Sequence, residues 1–69
     1  MIKLYSTGCP KCKVILKKLQ DKNVKFELIE DNQKVVDYGK EKGIYSAPIL
    51  EVDNVPYEFT KAIRVIETL

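Results

Sequence analysis

Apolar residues along this chain switch repeatedly between a period near two and a period near 3.6, the signatures of strand and helix. Ile2, Leu4 and Tyr5 form a short apolar run ending at Ser6-Thr7-Gly8, which predicts a first strand. From Pro10 the spacing lengthens. Cys12, Ile15, Leu16 and Leu19 follow i, i+3, i+4, i+7, one stripe of a helix, with Lys11, Lys13, Lys17 and Lys18 on the other faces. Asp21-Lys22-Asn23 should end that helix, with Asn23 as a left-handed cap. Val24 to Glu30 alternates at Val24, Phe26 and Leu28 and predicts a second strand. Asp31 or Asn32 then caps a second helix to about Lys42, with Val35, Val36 and Tyr38 inward. Gly39 should weaken it and Gly43 stop it.

Pro48 opens a third strand, PILEV. Asp53-Asn54 tolerates the positive φ of a two-residue hairpin turn, which sets Val52 opposite Val55 and Leu50 opposite Tyr57. Pro56 cannot donate a ladder hydrogen bond, so the fourth strand belongs at a sheet edge. Thr60 is expected to cap a last helix burying Ala62, Ile63, Ile66 and Leu69. The order β-α-β-α-β-β-α predicts one α/β domain over residues 1–69. Its four-stranded mixed sheet, parallel in the first β-α-β unit, should carry helices on both faces.

Composition narrows the function classes. In a chain of 69 residues only about 60% of the unfolded surface is buried on folding. Twelve basic against ten acidic residues give a formal charge of +2, too mild a field to argue for nucleic acid. No window approaches the roughly 20 apolar residues of a membrane span, and no apolar run of signal-peptide length opens the chain. A soluble cytoplasmic domain with no membrane partner is expected. Two cysteines are also too few for the bridged frameworks of small secreted domains.

Both cysteines lie in TGCPKC, Thr7 to Cys12, where the strand stops and the helix starts. Pro10 fits the first helical position, which puts Cys9 at or beside the N-cap. Free amides and the helix dipole there favour an anion, so Cys9 is expected to be the exposed, ionised thiol. Cys12, one turn on, shares the apolar stripe and should be the buried, less ionised one. Such a pair suits dithiol exchange, with Cys9 attacking a disulfide and Cys12 resolving the mixed disulfide. Two other uses compete. A structural staple closing four residues contributes only about 2 kcal/mol in the chain-entropy model. A zinc or iron–sulfur module would need further ligands, since the chain has two thiols and no histidine.

The combination of IKLYSTGCPKC, a β-α-β unit, SAP before a strand, and a hairpin followed by a helix resembles the thioredoxin fold. It looks most like the short glutaredoxin-like branch, and the resemblance spans nearly the whole chain. It implies that Cys9 is the attacking thiol, Cys12 the resolving thiol, and Pro48 the family's cis-proline facing them. The Ala47 backbone would then pair with an extended substrate segment, and Tyr5, the Ser6-Thr7-Gly8 loop, Pro10 and Lys11 would border the same groove. It further implies a monomeric protein-disulfide reductase with no bound cofactor, cycling through a reversible Cys9–Cys12 disulfide. Ribonucleotide reductase is one implied substrate. Tyr57 to Lys61 lacks the glycine pair of glutathione-specific members, which favours a thioredoxin reductase as the reductant, with glutathione the alternative.

Overall fold

The computed structural model describes all of residues 1–69 and places seven elements in the expected order. These are β1 (Ile2–Tyr5), α1 (Pro10–Asp21), β2 (Glu27–Ile29), α2 (Asn32–Lys42), β3 (Ile49–Val52), β4 (Val55–Tyr57) and α3 (Phe59–Glu67). The strands form one mixed sheet in the order β2-β1-β3-β4. β1 runs parallel to β2 and antiparallel to β3, and β3 and β4 form the closing hairpin. Asp53 and Asn54 both adopt positive φ in its turn, and the pairs Val52–Val55 and Leu50–Tyr57 fall in the expected register. Pro56 lies in the edge strand β4, where its missing N–H leaves no gap inside the sheet.

The pleat of β1 and β3 divides the core in two. Leu4 and Leu50 project to one face, where Ile15 and Leu19 of α1 and Ala62 and Ile66 of α3 complete a buried cluster. Tyr5 and Ile49 project to the other face and meet Val35 of α2. Two helices thus cover one face and a single helix the other, so the thin apolar content of α2 is enough for its task. The α2 face also takes polar groups. Glu51 follows Ile49 on that side and is only 8% exposed, and its carboxylate accepts the Tyr38 hydroxyl at 2.6 Å. The Tyr38 ring stacks on Tyr5 with centroids 4.1 Å apart. Burial, then the bond to Glu51, holds the Tyr38 hydroxyl well above its usual pKa, so it remains a donor.

Several expectations need correction. β2 is limited to Glu27–Ile29, which pair with Lys3, Leu4 and Tyr5. Val24 and Phe26 pack against the larger cluster before the ladder begins, whereas Leu28 is exposed at the sheet edge. Asp31, and not Asn32, caps α2, accepting the Gln33 and Lys34 amides. Val36 is 47% exposed, because Val35 and Gly39 hold the inward stripe. α3 starts before Thr60: the Ala62 amide donates to the Glu58 carbonyl at 2.7 Å, which makes Glu58 the cap, with no side-chain bond. Leu69 lies beyond that helix and is exposed. No helix is long and apolar enough to cross a membrane.

Gly39 does more than weaken a helix. The Ile44 amide donates to the Gly39 carbonyl at 2.9 Å, and the Ile44 carbonyl oxygen occupies the space that a Cβ at residue 39 would need. The side chain is absent so that the loop leading to β3 can fold back over α2. Gly39→Ala should therefore destabilise the protein by about 2 kcal/mol, although alanine is the better helix former. Urea unfolding checks this, and equal or greater stability in the variant would show that the close approach is not a constraint.

Candidate functional site

β1 ends by turning Ser6 towards β2, where the Ser6 amide donates to the Ile29 carbonyl at 2.9 Å. The chain then reverses through Gly8, whose φ of 80° favours a residue without a Cβ. Cys9 follows as the N-cap of α1, in extended conformation, with Pro10 at the first helical position. The Cys9 sulfur accepts the Cys12 amide at 3.3 Å, the role that serine or aspartate takes at ordinary caps. The Lys13 amide closes the first turn on the Cys9 carbonyl at 3.1 Å.

The two cysteines are free thiols with sulfurs 2.7 Å apart. Cys9 is half-buried and reaches the surface, whereas Cys12 is 1% exposed and lies in the stripe that buries Ile15 and Leu19. The division into an accessible and a buried sulfur matches the expectation. The thiol pair is acidified, with the Cys12 pKa lowered. Burial pushes it up, but hydrogen bonds from the Cys9 side chain, the Thr7 amide, the Ser6 hydroxyl and the Cys9 amide outweigh burial and bring it to about 7. The Thr7 hydroxyl lies 3.8 Å from the Cys12 sulfur, and the two sulfurs are in contact. Two thiols this close release their first proton as a pair.

The remaining predicted site residues separate into groups. Ala47 stands opposite the cysteines, its carbonyl oxygen 4.0 Å from the Cys9 sulfur. The Ala47-Pro48 peptide bond is cis, and Pro48 is fully buried behind it. Gly8 and Pro10 are exposed on either side of Cys9. Lys11 is exposed too, with its ammonium 5.4 Å from the centroid of the Phe59 ring, on the α3 side of the site. Tyr5, expected beside the groove, is buried instead: strand alternation turns its ring under α2, where Tyr38 covers it.

An open, mostly apolar groove of about 240 Å³ begins at Thr7 and Ala47 and runs along α2. Val36, Lys40, Tyr45 and Ser46 line it, and Tyr45 is 83% exposed. Of the residues expected to border a groove, Thr7 and Ala47 line this one; its α2 wall was not foreseen. The exposed Val36, one step off the apolar stripe, was the available signal. Ser6 and Thr7 were placed near the site but not against Cys12; hydroxyl residues just before a helix start were the hint. Nowhere do three His, Cys, Asp or Glu side chains come together as a set that could hold a metal ion.

The thiol pair couples to stability. The Cys12 pKa falls from 9.0 to about 7 on folding, so its contribution is fully present above pH 9 and is lost as pH falls through about 7. Unfolding of the reduced protein should show stability rising over that window by roughly 2–3 kcal/mol. A flat profile, or the same rise in Cys12→Ser, would contradict the donor geometry. Protein-family models and curated proteins were compared with the chain, and none matches it, so any functional reading rests on the geometry just described.

Proposed function

We propose that the protein is a dithiol–disulfide oxidoreductase acting on protein disulfides, with a thioredoxin-like fold of the glutaredoxin-like branch. The observation that carries this reading is a pair of free thiols 2.7 Å apart at a helix start, one accessible and one buried. The strand and helix order and the Ala47-Pro48 segment facing Cys9 support the fold assignment. The groove from Ala47 along α2 offers an extended segment of substrate a place to lie next to the accessible sulfur.

In this scheme the Cys9 sulfur attacks one sulfur of the substrate disulfide, and the other leaves with the bonding electron pair and takes up a proton. Cys12 then attacks Cys9 in the mixed disulfide, which releases the second substrate thiol and leaves a Cys9–Cys12 bond. Accessibility assigns the roles, since a sulfur as buried as Cys12 cannot meet an external disulfide first. A reductant restores the dithiol with two electrons and two protons. A flavin-dependent thioredoxin reductase is proposed for that step, with glutathione the alternative, and ribonucleotide reductase is a candidate substrate. The electrons pass between sulfurs, so no bound cofactor takes part, and the cycle suits a monomer in a cytoplasm. A metal module is less well supported, because a single chain brings only two sulfurs to the site.

An NADPH-coupled insulin-reduction assay, run in parallel with thioredoxin reductase and with glutathione plus its reductase, tests the reading. The parent protein should turn over with the first system. Cys9→Ser should abolish turnover, and Cys12→Ser should accumulate a mixed disulfide detectable by mass. Insulin reduction by Cys9→Ser at the parental rate would refute the assignment, whereas activity only with glutathione would move the protein to the alternative reductant.

A further inference from the structure

The two edges of the sheet are not alike. β4 carries Pro56, which withholds a donor from any strand that approaches it. β2 contains neither proline nor glycine, and no strand of the fold pairs with its outer side. The Ser6 amide donates to the Ile29 carbonyl at 2.9 Å, so Ile29 turns its polar backbone groups towards β1. Alternation along the strand then directs the Leu28 amide and carbonyl to the free edge, with those of Phe26 in line behind them.

The chain along this edge, Val24-Lys25-Phe26-Glu27-Leu28, has the same order of chemical classes from either end, with the two charges opposite in sign. Half-buried Val24 and Phe26 alternate with exposed Lys25 and Glu27, as in an extended chain. Val24 and Phe26 pack against the cluster around Leu4. Leu28 pairs with Leu4 and shares that face, yet it is 38% exposed. Lys25 and Glu27 alternate to the opposite face, and neither forms an ion pair within the chain. A lysine on an edge strand ordinarily discourages pairing. Against its own inverted copy, however, this segment sets each lysine opposite a glutamate.

We infer that the β2 edge is a contact surface for a second copy of this chain, the two copies pairing antiparallel about a twofold axis at Phe26. In that register Leu28 of each copy faces Val24 of the other, and the two Phe26 residues face each other. Their outward amides and carbonyls exchange hydrogen bonds across the axis. Lys25 of each copy faces Glu27 of the other at the intervening positions, which are not hydrogen-bonded. Opposed Cα atoms stand about 4.5 Å apart at such positions, and opposite charges there stabilise a strand pair. The exposed Leu28 gains apolar cover. Because the same surface serves both copies, the contact closes at two and cannot propagate. Cys9 lies beyond the Tyr5 end of β1, whereas Phe26 precedes the Lys3–Glu27 pair at the other end, so each dithiol stays accessible. The exchange cycle is complete within one chain, and the pairing does not rest on it.

Sedimentation velocity of the full chain from about 10 μM to 1 mM reads the association over the range suited to a small interface. The parent should pass from monomer to dimer across it. Lys25→Glu places like charges opposite each other at both symmetry-related positions and should weaken the dimer at least about tenfold, as should Glu27→Lys. Combining the two substitutions restores opposite charges and should recover the parental dissociation constant to within about threefold. In the parent, amide exchange at Phe26 and Leu28 should slow as concentration rises, with no such change in β4. A parent that is monomeric at every concentration overturns the inference. So does a dimer that both single variants retain, or a doubly substituted chain that dissociates as readily as the single ones.

Discussion

The Cys12 amide donates to the Cys9 sulfur at 3.3 Å, and this bond joins the two halves of the site. It makes one cysteine the cap of α1 while the other, a turn later, lies in the stripe that packs on Leu4 and Leu50. Neither cysteine can move without cost. Shifting Cys9 unsatisfies the helix start, and shifting Cys12 opens the core beside Ile15. That the two sulfurs lie in contact therefore follows from the fold. The asymmetry between the sulfurs arises in the same way: a cap residue lies at the surface by its position, whereas a stripe residue lies inside.

The opposite wall of the site depends on a different set of contacts. Gly39 lets the Ile44 carbonyl close on α2, and the loop from Ile44 then runs to Ala47, whose carbonyl stops 4.0 Å from the Cys9 sulfur. Val35 and Ile49 hold the underside of this region, and the stacked rings of Tyr5 and Tyr38 continue it towards Glu51. Buried polar groups are tolerable there because each is satisfied: no buried side-chain nitrogen or oxygen lacks a partner. The groove beside Ala47 is thus the gap left between α2 and a loop pinned at Gly39.

Much of this was legible in the chain itself. The alternation of periods identified every element, because each pattern has one compatible backbone geometry. Asp53-Asn54 disclosed its turn, Pro56 its edge strand, and Cys9-Pro10 its cap, since all three depend on backbone chemistry of the residues concerned. The errors have a common source. Val36, Leu28 and Leu69 are apolar residues assigned inward that the structure leaves exposed. Their local patterns permitted burial, but only neighbours from distant elements could supply it. Thr60 failed as a cap for a related reason: a suitable side chain does not fix where the first helical hydrogen bond closes.

What the sequence determined by itself was local: element type, turn chemistry, and two sulfurs one helical turn apart at a strand-to-helix junction. Tertiary structure alone decided that β1 lies between β2 and β3, and that Tyr5 turns to α2 instead of to the site. It also brought Ala47 opposite Cys9 across 38 residues of chain and set the Thr7 hydroxyl 3.8 Å from the buried sulfur. The physical reason is that hydrogen bonds at a helix start are set within a few residues. The pKa of a buried thiol, in contrast, depends on every donor that packing brings within reach.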